Sequence, residues 1–575
     1  MLRLFRYLKP FAPAVAAVLT LLFFQSLADL YLPTLMSDLV DTGIVKGDTG
    51  YILRIGSLML LVAGGSALCS IAAGFLSAKA ATGFGRNLRS LVFARVESYS
   101  LHEFDRLGTA SLITRTTNDI TQIQQVLIII MRMMISAPMM AIGGIIMAVS
   151  KDPALSLVFV IVLPILAGAI FLIAGKGLPL FKSMQIKLDR LNRVLRENLT
   201  GIRVVRAFNR LDHEKKRFVE ANDDLTATAI RVNKLMAAMM PIMMLVMNFT
   251  TIAIVWFGGI RVDHGDMQVG DMMAFIQYAM QIMFSLVMVS FMFIMIPRAQ
   301  ASAVRINEVL DLIPGIKDAA EVKTADQRKG FVEFKNVTFS YPGAEEPAIR
   351  HISFTANPGE VTAIIGGTGS GKSTLINLIP RFYDVDKGCV LIDGVDVREL
   401  AQEALRAKIG FVPQKAVLFT GTVADNIRYG KEEATDQEIR RAAEIAQAAD
   451  FITDMAGGFD AEIAQGGTNV SGGQKQRLAI ARALVRRPEI YVFDDTFSAL
   501  DFKTDAKLRA ALRQETAEAT VLIVAQRVAT VMDADRILVM DDGQIVGMGT
   551  HQELLKTCTV YQEIVSSQLS EEEIA

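Results

Sequence analysis

Nine consecutive residues, Gly366-Gly-Thr368-Gly369-Ser370-Gly371-Lys372-Ser373-Thr374, have the composition of a phosphate cradle. They fit G-x-x-x-x-G-K-[ST], follow the β-branched run Val361-Thr-Ala-Ile-Ile365, and precede the amphipathic Leu375-Ile-Asn-Leu-Ile379. A loop between a strand and a helix is the setting this motif requires. Glycines let backbone N–H groups turn inward around phosphate oxygens, and the helix N-terminus adds partial positive charge. Lys372 then reaches the β- and γ-phosphates, and the Ser373 hydroxyl suits Mg²⁺, a hard cation that prefers oxygen. These residue types at these intervals point to binding of a nucleoside triphosphate.

The elements that must hold such a loop occupy the second half of the chain, and the composition of the whole says what the first half is. With 575 residues, several domains are expected. The net charge of −1 gives no global sign of a nucleic-acid partner. The chain is 51% hydrophobic with a mean hydropathy of +0.36, high for a soluble protein, and the excess lies before residue 300. Cys69, Cys389 and Cys558 are scattered without metal-ligand spacing, so they read as small buried hydrophobes rather than a zinc site or a disulfide framework. The basic N-terminus leads into an apolar run with no small-residue cleavage site after it, which reads as a retained span rather than a signal peptide.

Apolar stretches long enough to cross a bilayer cover residues 12–33, 55–77, 128–149, 153–175, 236–258 and 272–296. The short joins 34–51 and 259–271 are acidic, with Asp38, Asp41 and Asp48 in one and Asp263, Asp266 and Asp271 in the other. The long joins 78–127 and 176–235 are rich in Lys and Arg, which places them and both termini in the cytoplasm. Apolar residues at helical spacing (Leu188, Leu191, Val194, Leu195) extend the spans as helices beyond the membrane. Within the spans, Asp29 shares a helix face with Gln25 four residues away, and it either lines a cavity or caps an outer helix end against a polar neighbour. Arg132, near the cytoplasmic start of its span, either snorkels or contacts a transported compound. Asn248, with Thr250 and Thr251, and Gln277 with Gln281 are further cavity candidates. Methionines recur in the third, fifth and sixth spans, among them Met134, Met244, Met280, Met283 and Met292; they suit either ordinary packing or a greasy cavity that adapts to varied guests.

Past a mixed polar stretch, the segment Asn469-Val-Ser471-Gly472-Gly473-Gln474-Lys-Gln-Arg477 carries the most specific resemblance in the chain. Together with six spans followed by an ATPase, it resembles ATP-binding-cassette exporters over essentially the whole length. That resemblance implies a six-helix transmembrane domain (1–300) with coupling helices near 101–112 and 199–209, a linker (301–330), and an α/β P-loop nucleotide-binding domain (331–575). It also implies ATP and Mg²⁺ as ligands. Tyr341 resembles the aromatic that stacks on adenine, and Gln414 the glutamine that senses Mg²⁺ and faces the coupling helices. Asp494 resembles the Mg²⁺ carboxylate at the end of a strand, and Asp501 the loop that crosses the dimer interface. Ser471, Gly472, Gly473 and Gln474 would contact a nucleotide held by the opposite subunit rather than this chain's own.

Three positions depart from the family pattern. Asp495 stands where the general base is usually Glu, Gln526 where a switch His is usual, and Ala464-Gln465 where Gly-Glu is usual. A carboxylate one methylene short sits about 1.5 Å from its place, and misplacement on that scale costs on the order of 100-fold in rate. Glutamine can hydrogen-bond a γ-phosphate but carries no positive charge there. A weak hydrolytic site beside an intact signature is expected of the degenerate-site half of a heterodimer, whose non-identical partner carries Glu and His. The expectation is ATP-driven export of a hydrophobic or amphipathic compound by a multi-pass protein of a bacterial cytoplasmic membrane. A lipid or peptide translocator and an importer on the same scaffold are the alternatives, because a fold does not fix its cargo.

Overall fold

The computed structural model describes residues 1–319, 321, 323 and 329–568, without the side chains of residues 2 and 290–294. Residues 320, 322 and 324–328 of the expected linker, and the Met292 side chain, lie outside the described residues. The chain divides into two compact units. One holds Met1–Glu97 and Thr109–Leu312, the other Ser98–Gly108 and the chain from Ile313 onward.

The first unit is helical: α1 (Ala12–Asp38), α2 (Thr49–Glu97) and, beyond α3 (Leu101–Leu107) of the other unit, α4 (Thr109–Thr114), α5 (Ile120–Lys151) and α6 (Leu157–Thr200). A short α7 (Ile202–Ala207) precedes α8 (Leu211–Asp263) and α9 (Val269–Asp311). Among the described residues, six helical segments are long and apolar enough to cross a membrane. At about 1.5 Å per residue, the 49 residues of α2 span about 70 Å. That is more than twice a hydrocarbon core of about 30 Å, so much of such a helix must stand outside it. Leu60, Leu61 and Phe171 are more than 70% exposed, an apolar surface that lipid accommodates and water does not.

Polar pairs fix the two ends of this bundle. Asp271 accepts from Lys151 Nζ and Ser37 Oγ, each at 2.6 Å, and Asp41 accepts from the Gly270 N–H at 2.7 Å. The acidic joins are thus internal staples as well as loops. Asp152, nearly fully buried, binds Arg261 Nε at 2.5 Å and caps Leu155 N–H at 2.9 Å. At the other end, buried Asp119 accepts from Ser302 Oγ at 2.9 Å and Arg305 Nε at 2.7 Å, and Arg115 pairs with Glu308 at 2.8 Å. Helix α9 therefore runs through the composition change at residue 298 to Asp311, and the beginning of the expected linker is helix.

The second unit is an α/β domain. In chain order it holds β1 (Val332–Phe339), β2 (Ile349–Ala356), β3 (Val361–Gly366), α10 (Lys372–Asn377), β4 (Lys387–Ile392), β5 (Val395–Asp396), β6 (Ile409–Val412) and β7 (Gly421–Thr422). There follow β8 (Glu462–Ile463), the helix Gly472–Val485, β9 (Ile490–Asp494), β10 (Thr520–Val524), β11 (Arg536–Asp541) and β12 (Gln544–Gly549). The main sheet has the order β12-β11-β3-β10-β9-β6, and every pairing except β11 with β12 is parallel. An antiparallel sheet, β2-β1-β4-β5, supplies the second layer. All residues of β9 and β10 are buried, as parallel strands covered on both faces must be.

This strand order places the loops that do chemistry along one edge. β10 lies between β3 and β9, with Val524 opposite both Ile364 and Asp494. The segments that leave the carboxyl ends of β3, β9 and β10 therefore converge, as ligand-binding loops of parallel sheets do. Helix α3 packs with this unit. Glu103 closes a capping box with Ser100 (2.8 Å to the Ser100 N–H) and accepts from Gly315 N–H at 3.1 Å. Asp318 accepts from the Gln402 N–H and Nε2 at 3.1 and 3.0 Å, and these bonds hold its carboxyl below the usual range.

Candidate active site

The loop from Gly366 to Gly371 owes its path to its glycines. Gly371 has φ +94°, and a Cβ there would lie 2.7 Å from Ile349 Cγ2. A Cβ on Gly366 would collide with the Met540 carbonyl oxygen of the neighbouring strand. Lys372, at the start of α10, is buried and donates from Nζ to the carbonyls of Gly366 (2.8 Å) and Gly367 (2.6 Å), with Ser370 Oγ at 3.5 Å. Burial lowers its ammonium pKa, against the opposing pull of Asp495 and Asp494.

Ser373 Oγ donates to Asp494 Oδ1 at 3.0 Å, which brings together two hard oxygen donors, one from the start of α10 and one from the end of β9. Asp494 and Asp495 are both buried. Burial raises both carboxyls, and the negative charge of Asp495 raises Asp494 further. Asp495 has φ +44°, a left-handed conformation that aspartate tolerates better than most side chains. Its N–H donates to Val524 O at 3.0 Å, and its carbonyl accepts from Ser498 Oγ at 2.8 Å. The carboxylate Oδ2 receives two amide donors, Gln526 Nε2 at 2.9 Å and Gln414 Nε2 at 3.2 Å. Lys372, Ser373, Gln414, Asp494, Asp495 and Gln526 thus form one connected cluster.

Tyr341 stands beside it, partly exposed, with its hydroxyl 3.1 Å from Thr374 Oγ1 and its ring edge-on to Tyr383 at 5.4 Å. Burial pushes the Tyr383 hydroxyl up to about 12, so it stays protonated. Ser471 is the N-cap of the helix Gly472–Val485. It accepts from Gln474 N–H at 3.3 Å while its own N–H donates to Gln474 Oε1 at 2.8 Å. Gly473 packs against the Ala499 carbonyl, where a Cβ would lie 3.1 Å away. Asp501 caps the next helix by accepting from Thr504 N–H at 3.0 Å, and these bonds lower its pKa. Among the described residues, no hydrogen bond joins Ser471 to Gln474 with the Lys372 cluster. Ala464 N–H is held by Asn469 Oδ1 at 3.0 Å, so the altered pair before the signature is tied into the same loop.

In the helical unit the candidates separate. Asp29 Oδ1 accepts from Ser66 Oγ at 2.6 Å, and its backbone carbonyl accepts from Gln281 Nε2 at 3.1 Å. The polar-neighbour reading of Asp29 thus has a partner, Ser66, that lies on a different helix from Gln25. Tyr278 is fully buried, with its hydroxyl 2.7 Å from Thr34 Oγ1. Gln277 and Asn248 are exposed, and Thr250 and Thr251 bond to carbonyls of their own helix. The methionines are also divided: Met283 is buried, whereas Met134, Met244 and Met288 are more than half exposed. Cys558 is buried, but Cys69 and Cys389 are only half-buried.

Sequence patterns did not disclose two contacts. Gln476, inside the helix Gly472–Val485, donates from Nε2 to Gln414 O at 2.6 Å, which ties that helix to the backbone of Gln414. Gln568 binds the backbone around Gln526. Its position in a polar tail, far from any motif, carries no sign of that contact.

Comparison with known proteins matches residues 15–286 to the ABC transporter transmembrane region and residues 349–498 to the ABC transporter model. An ABC transporter ATP-binding protein of Mycobacterium tuberculosis is 45% identical over 567 residues, covering 98% of this chain and 97% of that protein. A fatty acid ABC transporter ATP-binding/permease protein of Mycobacterium bovis is 35% identical over 83% of this chain and 75% of its own length. The structure of a bacterial Atm1-family ABC exporter with ATP bound aligns with a TM-score of 0.81 at 26% identity, covering 97% of this chain and 99% of that one.

Proposed function

Because this chain belongs to the ATP-binding-cassette transporters, with an exporter's transmembrane region fused to an ATPase coupled to transport, we propose that it is the degenerate-site half of a heterodimeric exporter. One observation carries this reading. Among the described residues, Asp495 Oδ2 accepts from two neutral glutamine amides, of Gln414 and Gln526, and from no imidazole. A carboxylate that is short for its task and occupied by two donors is a poor acceptor for the proton of an attacking water. ATP bound by Tyr341, the Gly366–Thr374 loop and Gln414 is then retained, with Mg²⁺ held by the oxygens of Ser373, Asp494 and Gln414. Ser471 to Gln474, with Asp501, complete the second nucleotide site on a non-identical partner that carries Glu and His. ATP closes the paired domains and turns the cavity outward, and hydrolysis at the partner's site resets it.

The cargo in this reading is a hydrophobic or amphipathic compound, with Asp29, Gln281, Gln277 and Asn248 the side chains to test for contact. The membrane is a bacterial cytoplasmic membrane with both termini inside. A second reading, lipid translocation on the same machinery, draws support from the fatty acid transporter relative. Co-expression with a candidate partner tests the assembly by native mass: one copy of each chain is expected, and a stable self-pair that excludes the partner would contradict it. Proteoliposomes offered a labelled fatty acid or a cationic amphiphile separate the two cargo readings by which compound is moved with ATP.

A further inference from the structure

The loop that carries Gln526 is gripped from the C-terminal tail. Gln568 donates from Nε2 to the Gln526 carbonyl and accepts at Oε1 from the Val528 N–H, both at 2.8 Å. A primary amide that spans a carbonyl and an N–H two residues apart reproduces the pairing of a β-bridge. It also satisfies a donor at the start of the short helix Val528–Val531 that has no partner within that helix.

The grip is anchored at its other end. Gln568 N–H is still bonded to Val565 O at 3.0 Å, directly after the helix Thr559–Ser566. That helix is fastened by Tyr561, fully buried with its hydroxyl 2.7 Å from His551 Nδ1, and by buried Val565. On the near side, Ala525 N–H is fixed to Ile364 O at 3.1 Å and Arg527 to Ser498 O at 3.0 Å. Gln526 is thus the residue whose backbone position is set by the tail, and its side chain is the one that reaches Asp495.

We propose that Gln568 is a positioning residue for the nucleotide site: it fixes the Gln526 backbone so that the Gln526 amide meets Asp495 Oδ2. Gln568 acts on the chemistry through the Gln526 backbone. The assignment holds whether this site turns over slowly or quickly, because each variant is compared with its own parent.

The test is a double-mutant cycle in the full-length chain, reconstituted in lipid nanodiscs and read as steady-state ATP hydrolysis with kcat and KM separated. Gln568→Ala removes two hydrogen bonds and should change kcat about 5- to 10-fold, in the same direction as Gln526→Ala, with KM for ATP shifted less than about twofold. The double variant should match Gln526→Ala rather than multiply the two effects. Gln568→Glu keeps the acceptor for Val528 N–H but loses the donor to Gln526 O, and should fall between wild type and Gln568→Ala. Wild-type kcat in Gln568→Ala, or independent multiplication of the two single effects, would overturn the proposal. Loss of folding in Gln568→Ala passes the decision to Gln568→Glu, whose wild-type kcat would overturn it equally.

Discussion

Replacement of Asp495 by Glu tests the account at the atom where it commits itself. The added methylene advances the carboxylate by about 1.5 Å, and recovery of that distance is expected to return on the order of 100-fold in rate, about 2.7 kcal/mol of barrier. The advance also pulls Oδ2 away from Gln526 Nε2 (2.9 Å) and Gln414 Nε2 (3.2 Å). A side-chain amide that follows the longer carboxylate still occupies it, and one such bond to a charged acceptor is worth about 1.5 kcal/mol, roughly tenfold. Asp495→Glu alone should therefore accelerate hydrolysis only about tenfold. Adding Gln526→His removes one competing amide and supplies an imidazole, so the pair should approach 100-fold. The assay is single-turnover release of phosphate from the full-length chain in nanodiscs. A rate that is unchanged or lower in Asp495→Glu/Gln526→His would refute the argument that carboxylate reach limits this site.

Three further outcomes follow from the same geometry. Lys372→Ala removes the only ammonium in the Gly366–Thr374 loop, and loss of one charge-assisted contact should weaken ATP binding about 10- to 100-fold, measured by equilibrium binding of labelled ATP. Asp494 and Asp495 have raised pKa values, so the folded state holds these protons more tightly than the unfolded chain. Their contribution is fully present below the ordinary Asp range, about pH 4, and is lost as pH rises through the raised values. Asp494→Asn should flatten that part of the pH profile and raise the melting temperature of the nucleotide-free protein near neutrality. In the helical unit, Asp119→Ala should destabilise the bundle by about 2 kcal/mol in a detergent melt. That is below the 3–5 kcal/mol typical of fully buried pairs because the side chain of Arg305 remains nearly half exposed.

Much of the ATPase edge was legible because each residue type there has a fixed mechanical use. The glycines, Lys372 and Ser373 follow from phosphate chemistry, and β3, β6 and β9 occupy the apolar runs that frame them. The length of α9 was not legible from composition. Residue 298 marks a change in solvent, not in backbone: Ala299, Ala303, Ile306 and Leu310 stay buried at helical spacing through it. The acids of the short joins read as loop charges, yet Asp41 and Asp271 are hydrogen-bonded inside the bundle by residues from other helices. Asp29 shows the same limit, since its partner Ser66 lies on a different helix and no periodicity connects them. Contacts between distant segments, such as Gln568 with Gln526, are set by tertiary packing and leave no local pattern.

The most direct measurement is steady-state ATP hydrolysis by this chain alone and together with its partner, each with and without Asp495→Asn. The account predicts slow turnover by the lone chain, little changed by the substitution, and rapid turnover once the partner is present. Brisk hydrolysis by the lone chain that Asp495→Asn abolishes would contradict it.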